Sequence, residues 1–325
     1  MKILIAPLNW GLGHATRCIP LVRHYLQEGH EVVLGGDGES LLLLRKAFPS
    51  LRVMDLPSLE LRYTNNPQQR GFYLKAIWAL MRFTIADHYY LQQRLAIEHF
   101  DLIISDNRFG LYTREVRSIY ITHQLYPILP KRLRVFQACA RALHACIYKK
   151  YAEVWVPDYA DNTQNLSGEL SHGGKFDRCA KYIGPISRFT PPNSKERTHE
   201  YSQEIPYHTV AILSGLEPQR SIFEQELLQR FAHTPEKVLL IRGKVAGPQT
   251  TITRANITIK PSITEQELMM AINCAKKVVA RSGYSTIMDL HTLGALQKAE
   301  LHPTPGQSEQ EYLAQLHRCN LQKNS

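Results

Sequence analysis

Two successive doubly wound α/β domains are predicted for this chain of 325 residues by three observations. Short runs rich in Ile, Val and Leu alternate with stretches of three-to-four apolar spacing. That rhythm stops once, across a polar, proline-bearing stretch, and then resumes. The length is about twice that of a typical domain. Near-continuous apolar strands alternating with helices point to parallel sheets covered on both faces.

In the first half, Lys2–Pro7, Glu31–Gly35, Asp101–Ser105, Ser118–Thr122 and Glu153–Val156 read as strands. Ile19–Gln27 and Leu74–Glu98 read as helices. The break falls at residues 187–207, with Pro191, Pro192 and Pro206 among polar neighbours, which makes this stretch the linker between domains 1–186 and 208–325. The second half repeats the alternation: strand Thr209–Leu213, helix Ile222–Phe231, strands Lys237–Ile241 and Asn256–Lys260, helix Glu265–Asn273, strand Lys276–Ala280, helix Thr286–Leu293 and a last helix at Glu309–Leu321. Two such domains facing across a cleft are expected to bind a ligand there. Gln297–His302 is unusually polar for a buried strand.

Composition narrows the class. Hydrophobic residues at 44% and charged residues at 21% give ample material for two cores. No run of about eighteen apolar residues exists, so no spanning helix is expected. The apolar start at Lys2–Leu8 is too short for a signal peptide and leads into glycines without a small-residue cleavage site. The six cysteines, at 18, 139, 146, 179, 274 and 319, contain no C-x-x-C pair. That spacing argues against a zinc site and a disulfide framework and favours a reducing compartment, so the cytoplasm is expected. A net charge of +10 favours anionic partners. Nucleic acid ranks last among them, because no zinc-finger, RRM-like or helix-turn-helix signature is present.

Two segments carry the chemistry. After the first strand comes Asn9-Trp10-Gly11-Leu12-Gly13-His14-Ala15-Thr16, with a helix expected from Ile19-Pro20, where proline suits the first turn. Gly11 and Gly13 allow a tight turn and close approach of a ligand to free helix-start N–H groups, and His14 sits at the turn. The dinucleotide fingerprint would need glycine at Thr16. The competing reading is a plain strand–helix turn capped by Thr16. In the second half, Arg281-Ser282-Gly283-Tyr284-Ser285-Thr286-Ile287-Met288-Asp289 offers a glycine, hydroxyls and a helix start, which suits a phosphate. Here the competing reading makes Thr286 and Asp289 a variant capping box.

Over this whole segment the chain resembles the GT-B glycosyltransferases related to the N-acetylglucosaminyltransferase that makes the second lipid intermediate of peptidoglycan. Their donor site is a strand, Arg-Ser-Gly-x-x-Thr, an acidic residue three positions on, a Gly, a Pro-rich turn and a Gln-bearing helix start. Arg281, Ser282, Gly283, Thr286, Asp289, Gly294, Pro303, Pro305 and Gln310 follow in that order. The family more often carries Glu where this chain has Asp289, one methylene shorter. The loop Gly11-Leu12-Gly13-His14 and the loop Ser214-Gly215-Leu216-Glu217-Pro218-Gln219-Arg220 match its other landmarks. Likeness in these loops points to a bacterial subgroup. The chain stops at Ser325, where the family usually continues into a helix crossing back to the first domain.

The resemblance implies two Rossmann-like domains and an inverting, metal-independent transfer of a hexose or N-acetylhexosamine from a UDP-sugar. The UDP-sugar is a donor substrate and no cofactor is expected. Ser214, Gly215, Arg220, Ser282, Gly283, Ser285 and Thr286 would lie near the diphosphate, Asp289 would hold the ribose, and Gln307, Glu309, Gln310 and Glu311 would border the donor sugar. Arg220 and Arg281 are candidates for the leaving diphosphate. For the base that takes the acceptor proton, His14 ranks first, then Asp106, then His123, each at a strand end where a parallel sheet lines its crevice. Two alternatives are a nucleotide-sugar 2-epimerase of the same fold and a non-catalytic sugar-nucleotide-binding subunit.

The acceptor is not named by the sequence. Residues 131–150 read as a basic amphipathic helix with Leu133, Phe136, Ala140, Leu143 and Ile147 on one face. Packing of that face on the sheet is the first expectation, and contact with an anionic membrane, suited to a lipid-linked acceptor, is the second.

Overall fold

The computed structural model describes residues 1–59, 72–190 and 207–323. The predicted linker falls mostly on 191–206, outside the described residues. The chain divides into two compact units, Met1–Ile186 and Ser187–Ser325.

In the first unit, strands β1 (Lys2–Pro7), β2 (Glu31–Gly36), β3 (Arg52–Asp55), β4 (Leu102–Asp106), β5 (Arg117–Ile121), β6 (Glu153–Val156) and β7 (Ala180–Tyr182) form one sheet of order β3-β2-β1-β4-β5-β6-β7. Every pairing is parallel. All five residues of β4 are buried, as expected of a central parallel strand with both faces covered. Alternate side chains serve opposite faces. Ile3, Ile5, Leu102, Ile104, Ile119 and Ile121 pack with helices α1 (Gly13–Gln27) and α2 (Gly38–Ala47). Leu4, Ala6 and Ile103 pack with α3 (Phe72–Leu95), while Tyr120, Val154 and Val156 pack with α4 (Gln137–Tyr148). Burying each of these aliphatic side chains is worth about 1.5–3 kcal/mol.

The second unit has a six-stranded sheet of β8 (Thr209–Ile212), β9 (Val238–Ile241), β10 (Ile252–Arg254), β11 (Ile257–Lys260), β12 (Lys277–Arg281) and β13 (Ala299–His302), in the order β10-β11-β9-β8-β12-β13. Only β10 runs antiparallel. Helix α5 (Gln219–Phe231) covers one face through Phe223 and Leu227. Helices α6 (Glu265–Cys274) and α7 (Tyr284–Thr292) cover the other through Leu268, Ile272 and Leu290, and α8 (Ser308–Lys323) closes the chain.

Several local expectations are corrected. Helix α1 starts at Gly13, six residues before Ile19, so Pro20 lies inside it and removes the bond to the Thr16 carbonyl. Gly11, at φ 75°, turns the chain early enough for this. Thr16 is not a cap: its hydroxyl donates to Gly13 O at 2.9 Å from within the first turn. Likewise α7 starts at Tyr284 behind Gly283, and no side chain caps it, so Thr286 and Asp289 form no capping box. Residues 131–136 are a 3-10 turn, and α4 buries His144, Ala145 and Tyr148 rather than the predicted stripe. Phe136 and Leu143 of that stripe stand exposed. The polar β13 is an edge strand, and Glu300 there meets Arg230, Lys277 and His302. Its polarity belongs to the edge and not to a core.

Candidate active site

Both sheets carry the same switch. In each unit the first strand lies between the second strand and a later one, β1 between β2 and β4 and β8 between β9 and β12, so the chain order reverses at β1/β4 and at β8/β12. Loops leaving neighbouring strands in opposite directions open a crevice at their carboxyl ends, which is where such sheets bind ligands.

At the β1/β4 switch the structure brings His14, Asp106 and His123 together around a residue the sequence reading passed over, Arg17. Asp106 is fully buried. The Arg17 guanidinium donates to both of its oxygens, Nε to Oδ2 and Nη2 to Oδ1. His14 Nδ1 lies 2.6 Å from Asp106 Oδ1, Arg17 Nη1 lies 3.2 Å from His123 Nδ1, and Cys18 Sγ lies 3.8 Å from Asp106 Oδ2. Position i+3 on α1 places Arg17 one turn beyond His14, the spacing at which helix side chains meet.

This network assigns protons. Asp106 accepts, so the His14 proton that faces it is on Nδ1, and the 2.9 Å approach of Arg17 Nη2 to that nitrogen is two donors converging on one carboxylate oxygen. Among the described residues the hydrogen bonds of His14 run through Nδ1, which leaves Nε2 as the basic nitrogen. His123 meets a donor at each ring nitrogen, Arg17 Nη1 at Nδ1 and the Gln124 amide nitrogen at 3.5 Å from Nε2. Burial by itself raises the Asp106 pKa, but Arg17 and His14 outweigh it and hold the carboxyl down to about 2. Burial and then the Arg17 charge lower the His14 pKa against the pull of Asp106. Of the three predicted bases, only His14 combines a lone pair with a supporting carboxylate.

Gly11 and Gly13 form the turn beside it. The α1 start has no side-chain cap, and Ser40 Oγ donates to Gly11 O at 3.2 Å. Asn9 Nδ2 donates to Asp37 at 3.1 Å, and Asp37 accepts from Arg108 at 2.8 Å. The loop is thereby tied to β2 and β4.

In the second unit the loops after β8, β12 and β13, three adjacent strands, each feed a helix: α5, α7 and α8. No side chain caps the α7 start, whereas at the α5 start the Glu217 carboxylate accepts from Ser221 N at 3.2 Å. A Cβ at Gly215 or Gly283 would meet nothing within 4 Å, so the space before both turns is open. Ser214 is half-buried beside Gly215. Ser285 and Thr286 are half-buried in the first turn of α7. The uncapped start of α7 over open space suits an anion by its N–H groups and dipole.

Several predicted contacts are structural braces. Arg281, 4% exposed, donates to Pro303 O at 2.7 Å and to Gln219 O at 3.2 Å and lies 3.9 Å over the Phe223 ring. Burial lowers its pKa to about 10. Ser282 Oγ donates to Gln310 O at 2.7 Å. Gln310 accepts from Thr304 N at 2.9 Å and donates to Gln307 at 2.6 Å. Arg220 is buried and paired with Glu217 at 3.1 Å. Glu309 and Glu311 lie in the first turn of α8, with Glu311 exposed. Asp289 accepts from Ser187 Oγ at 2.7 Å and Arg188 Nε at 3.1 Å, two partners the sequence reading missed because they stand about a hundred residues away. Burial raises its pKa, with Arg188 and Ser187 opposing. Among the described residues no group of three or more His, Cys, Asp or Glu side chains suits a metal ion.

No family model matches the chain. It is 22% identical over 327 residues to an "uncharacterized glycosyltransferase" of Methanosarcina acetivorans, covering 96% of this chain and 82% of that one. It is 24% identical over 332 residues to a protein of the same description from Methanosarcina mazei, with the same coverage. Both sources are archaeal, whereas the sequence pointed to a bacterial subgroup. Among solved structures it resembles the glycosyltransferase of kitacinnamycin (TM-score 0.57, 12% identity, 98% and 95% of the two chains). It also resembles the calicheamicin glycosyltransferase CalG4 (0.57, 13%, 99% and 89%). A third neighbour is Phytolacca americana UGT2, solved with UDP-2-fluoro-glucose and pterostilbene (0.56, 11%, 96% and 82%). Two mostly parallel α/β sheets in this arrangement are the GT-B glycosyltransferase fold.

Proposed function

We propose that the chain is an inverting glycosyltransferase that takes its sugar from a nucleoside diphosphate donor, UDP by preference. The observation that carries this is the imidazole of His14, held by a buried carboxylate at 2.6 Å with Nε2 left to a substrate. Such a pair is a general base. In this reading Nε2 takes the acceptor hydroxyl proton as that oxygen bonds the anomeric carbon. The bond from that carbon to the diphosphate breaks, and the nucleoside diphosphate leaves with the electron pair. Arg17 and Asp106 orient the base and do not touch substrate.

The helix start after β12 supplies the N–H groups for the diphosphate, and Gly283, with Gly215 in the loop after β8, lets it approach. In this reading those donors, with the positive charge of the buried Arg281 guanidinium whose hydrogen bonds go to carbonyls, balance the diphosphate and no metal is called on. Asp289, kept beside Ser187 and Arg188, is the group for the ribose hydroxyls. The named relatives and the UDP-sugar bound by the plant neighbour agree with this assignment. Sugar and acceptor stay open within it.

A thermal-shift series with UDP, dTDP, GDP and their sugars tests the donor. UDP at 100 times its Kd should stabilise by about 2.7 kcal/mol, a rise of a few degrees, and Asp289→Asn should reduce the response. Absence of any response up to millimolar UDP overturns the reading.

A further inference from the structure

The outer surface of the first unit contains an apolar face that the proposed reaction does not use. Helices α3 and α4 cover the same side of the sheet. Leu4 is in register with Ile103, Ser105 with Tyr120, and Tyr120 with Val154. Side chains at these positions point one way, toward Leu91 of α3 and toward Ala145 and Tyr148 of α4. Tyr112 joins the helices, since His88 of α3 stacks on it at 4.5 Å and Lys150, just past α4, donates to its hydroxyl at 2.8 Å.

Away from the sheet, α3 exposes Ile77 by 54%, Trp78 by 61%, Met81 by 58%, and Ile85 and Tyr89 by 66% each. Trp78, Met81, Ile85 and Tyr89 follow three-to-four spacing and form one stripe. Beyond α3, Val135, Phe136 and Leu143 are exposed by 59% or more. Single exposed apolar residues are ordinary, but a row of this size on a charged protein marks a contact surface.

The exposed charge on these two segments has one sign. Lys75 and Arg82 are exposed on α3, and Lys131, Arg132, Arg134, Lys149 and Lys150 on the second segment. Residues 131–150 contain no acid. On α3 the one acid is Asp87, which is fully buried and bonded to Arg108 at 2.7 Å. Arg82 lies 4.6 Å over the Trp78 ring, its stem along the stripe.

We propose that α3 and residues 131–150 dock the chain on a lipid bilayer with anionic headgroups. A bilayer accepts both halves of this face at once. Its acyl boundary takes the stripe, the interface takes Trp78 and Tyr89, and the headgroups take the basic rim. A second copy would set basic rim against basic rim, and nucleic acid would leave the stripe in water. No helix among the described residues is long and apolar enough to cross a membrane, so the contact is peripheral.

The test is sedimentation of the full chain with vesicles of phosphatidylcholine alone or with phosphatidylglycerol, at about 0.1 and 0.5 M salt. Binding is expected to the anionic vesicles, at least about tenfold tighter than to the neutral ones, and weaker at high salt. Trp78→Ser with Ile85→Ser and Tyr89→Ser should cut binding about tenfold or more, since the stripe supplies the apolar burial. Unchanged helical circular dichroism would show these exposed positions leave the fold intact. Lys131→Glu with Arg132→Glu and Arg134→Glu should weaken binding to the anionic vesicles only. Failure of the wild-type chain to bind anionic vesicles overturns the proposal, as does undiminished binding by the serine variant. Dimerisation that the serine variant loses, without vesicle binding, assigns the face to a second copy and also overturns it. The proposal does not rest on the UDP-sugar reading, whose nucleotide response can hold or fail separately.

Discussion

His14 and Arg17 sit three residues apart and use one carboxylate for different ends. Arg17 keeps Asp106 ionised, and Asp106 keeps the His14 proton on Nδ1. Replacing His14 by Ala should lower transfer about 10²- to 10⁴-fold and leave the UDP-induced thermal shift in place. Equal loss of both would remove the base role. Acidity gives a second check. The folded His14 pKa lies below its ordinary value of 6.5, so the imidazole stays neutral as pH falls to 6.5 and is protonated only below it. The acid limb of kcat/KM should therefore fall below pH 6.5. An unfolded His14 binds its proton at higher pH than the folded one, so this residue removes stability as pH drops through the unfolded value. Asp106 acts in the same direction lower down. Its folded pKa of about 2 gives stability that is complete above about pH 4 and lost as pH falls toward 2.

At the scale of elements, the long apolar strands were legible and the short polar ones were not. Buried β1, β4, β8 and β12 read directly from their Ile and Val runs. The three residues of β10, all exposed, carry no such signal, and β13 is defined by its neighbour and by the cations around Glu300. Helix starts were misread at both candidate loops because no capping side chain marks the opening of α1 or α7. His14, Asp106 and His123 were legible as strand-end residues, whereas Arg17 was hidden inside a helical run where a basic residue looks like solvated surface. Helix α6 has the opposite design. Thr264 accepts from Glu267 N at 3.2 Å and Glu267 accepts from Thr264 N at 2.8 Å, a complete capping box. Thr264→Ala should cost about 1 kcal/mol and lower Tm by a few degrees, with no change in UDP affinity. Calorimetry with and without nucleotide checks both halves of that statement.

Over the whole molecule, positive charge is distributed by task. Arg108, fully buried, bonds Asp37, Asp87 and Pro57 O and fixes loops behind β4. The basic residues of α3 and 131–150 face outward and have few acids near them, so they carry much of the net charge of +10 to the surface. Salt therefore separates the functions: raising it from about 0.1 to 0.5 M should weaken vesicle binding strongly and nucleotide binding less, because surface charges are screened and buried ones are not.

Arg281 is the remaining cation of this kind. It joins the starts of two helix-bearing loops through carbonyls and an aromatic face, and among the described residues no carboxylate lies within ion-pair distance of it. Its charge persists at every pH below its value of about 10, so any attraction it lends a diphosphate in the proposed reading would not titrate where His14 does. Donor affinity should stay level across the range in which turnover collapses. An acidified enzyme of this design would hold its donor while unable to spend it, a loaded state reached by protonating one imidazole.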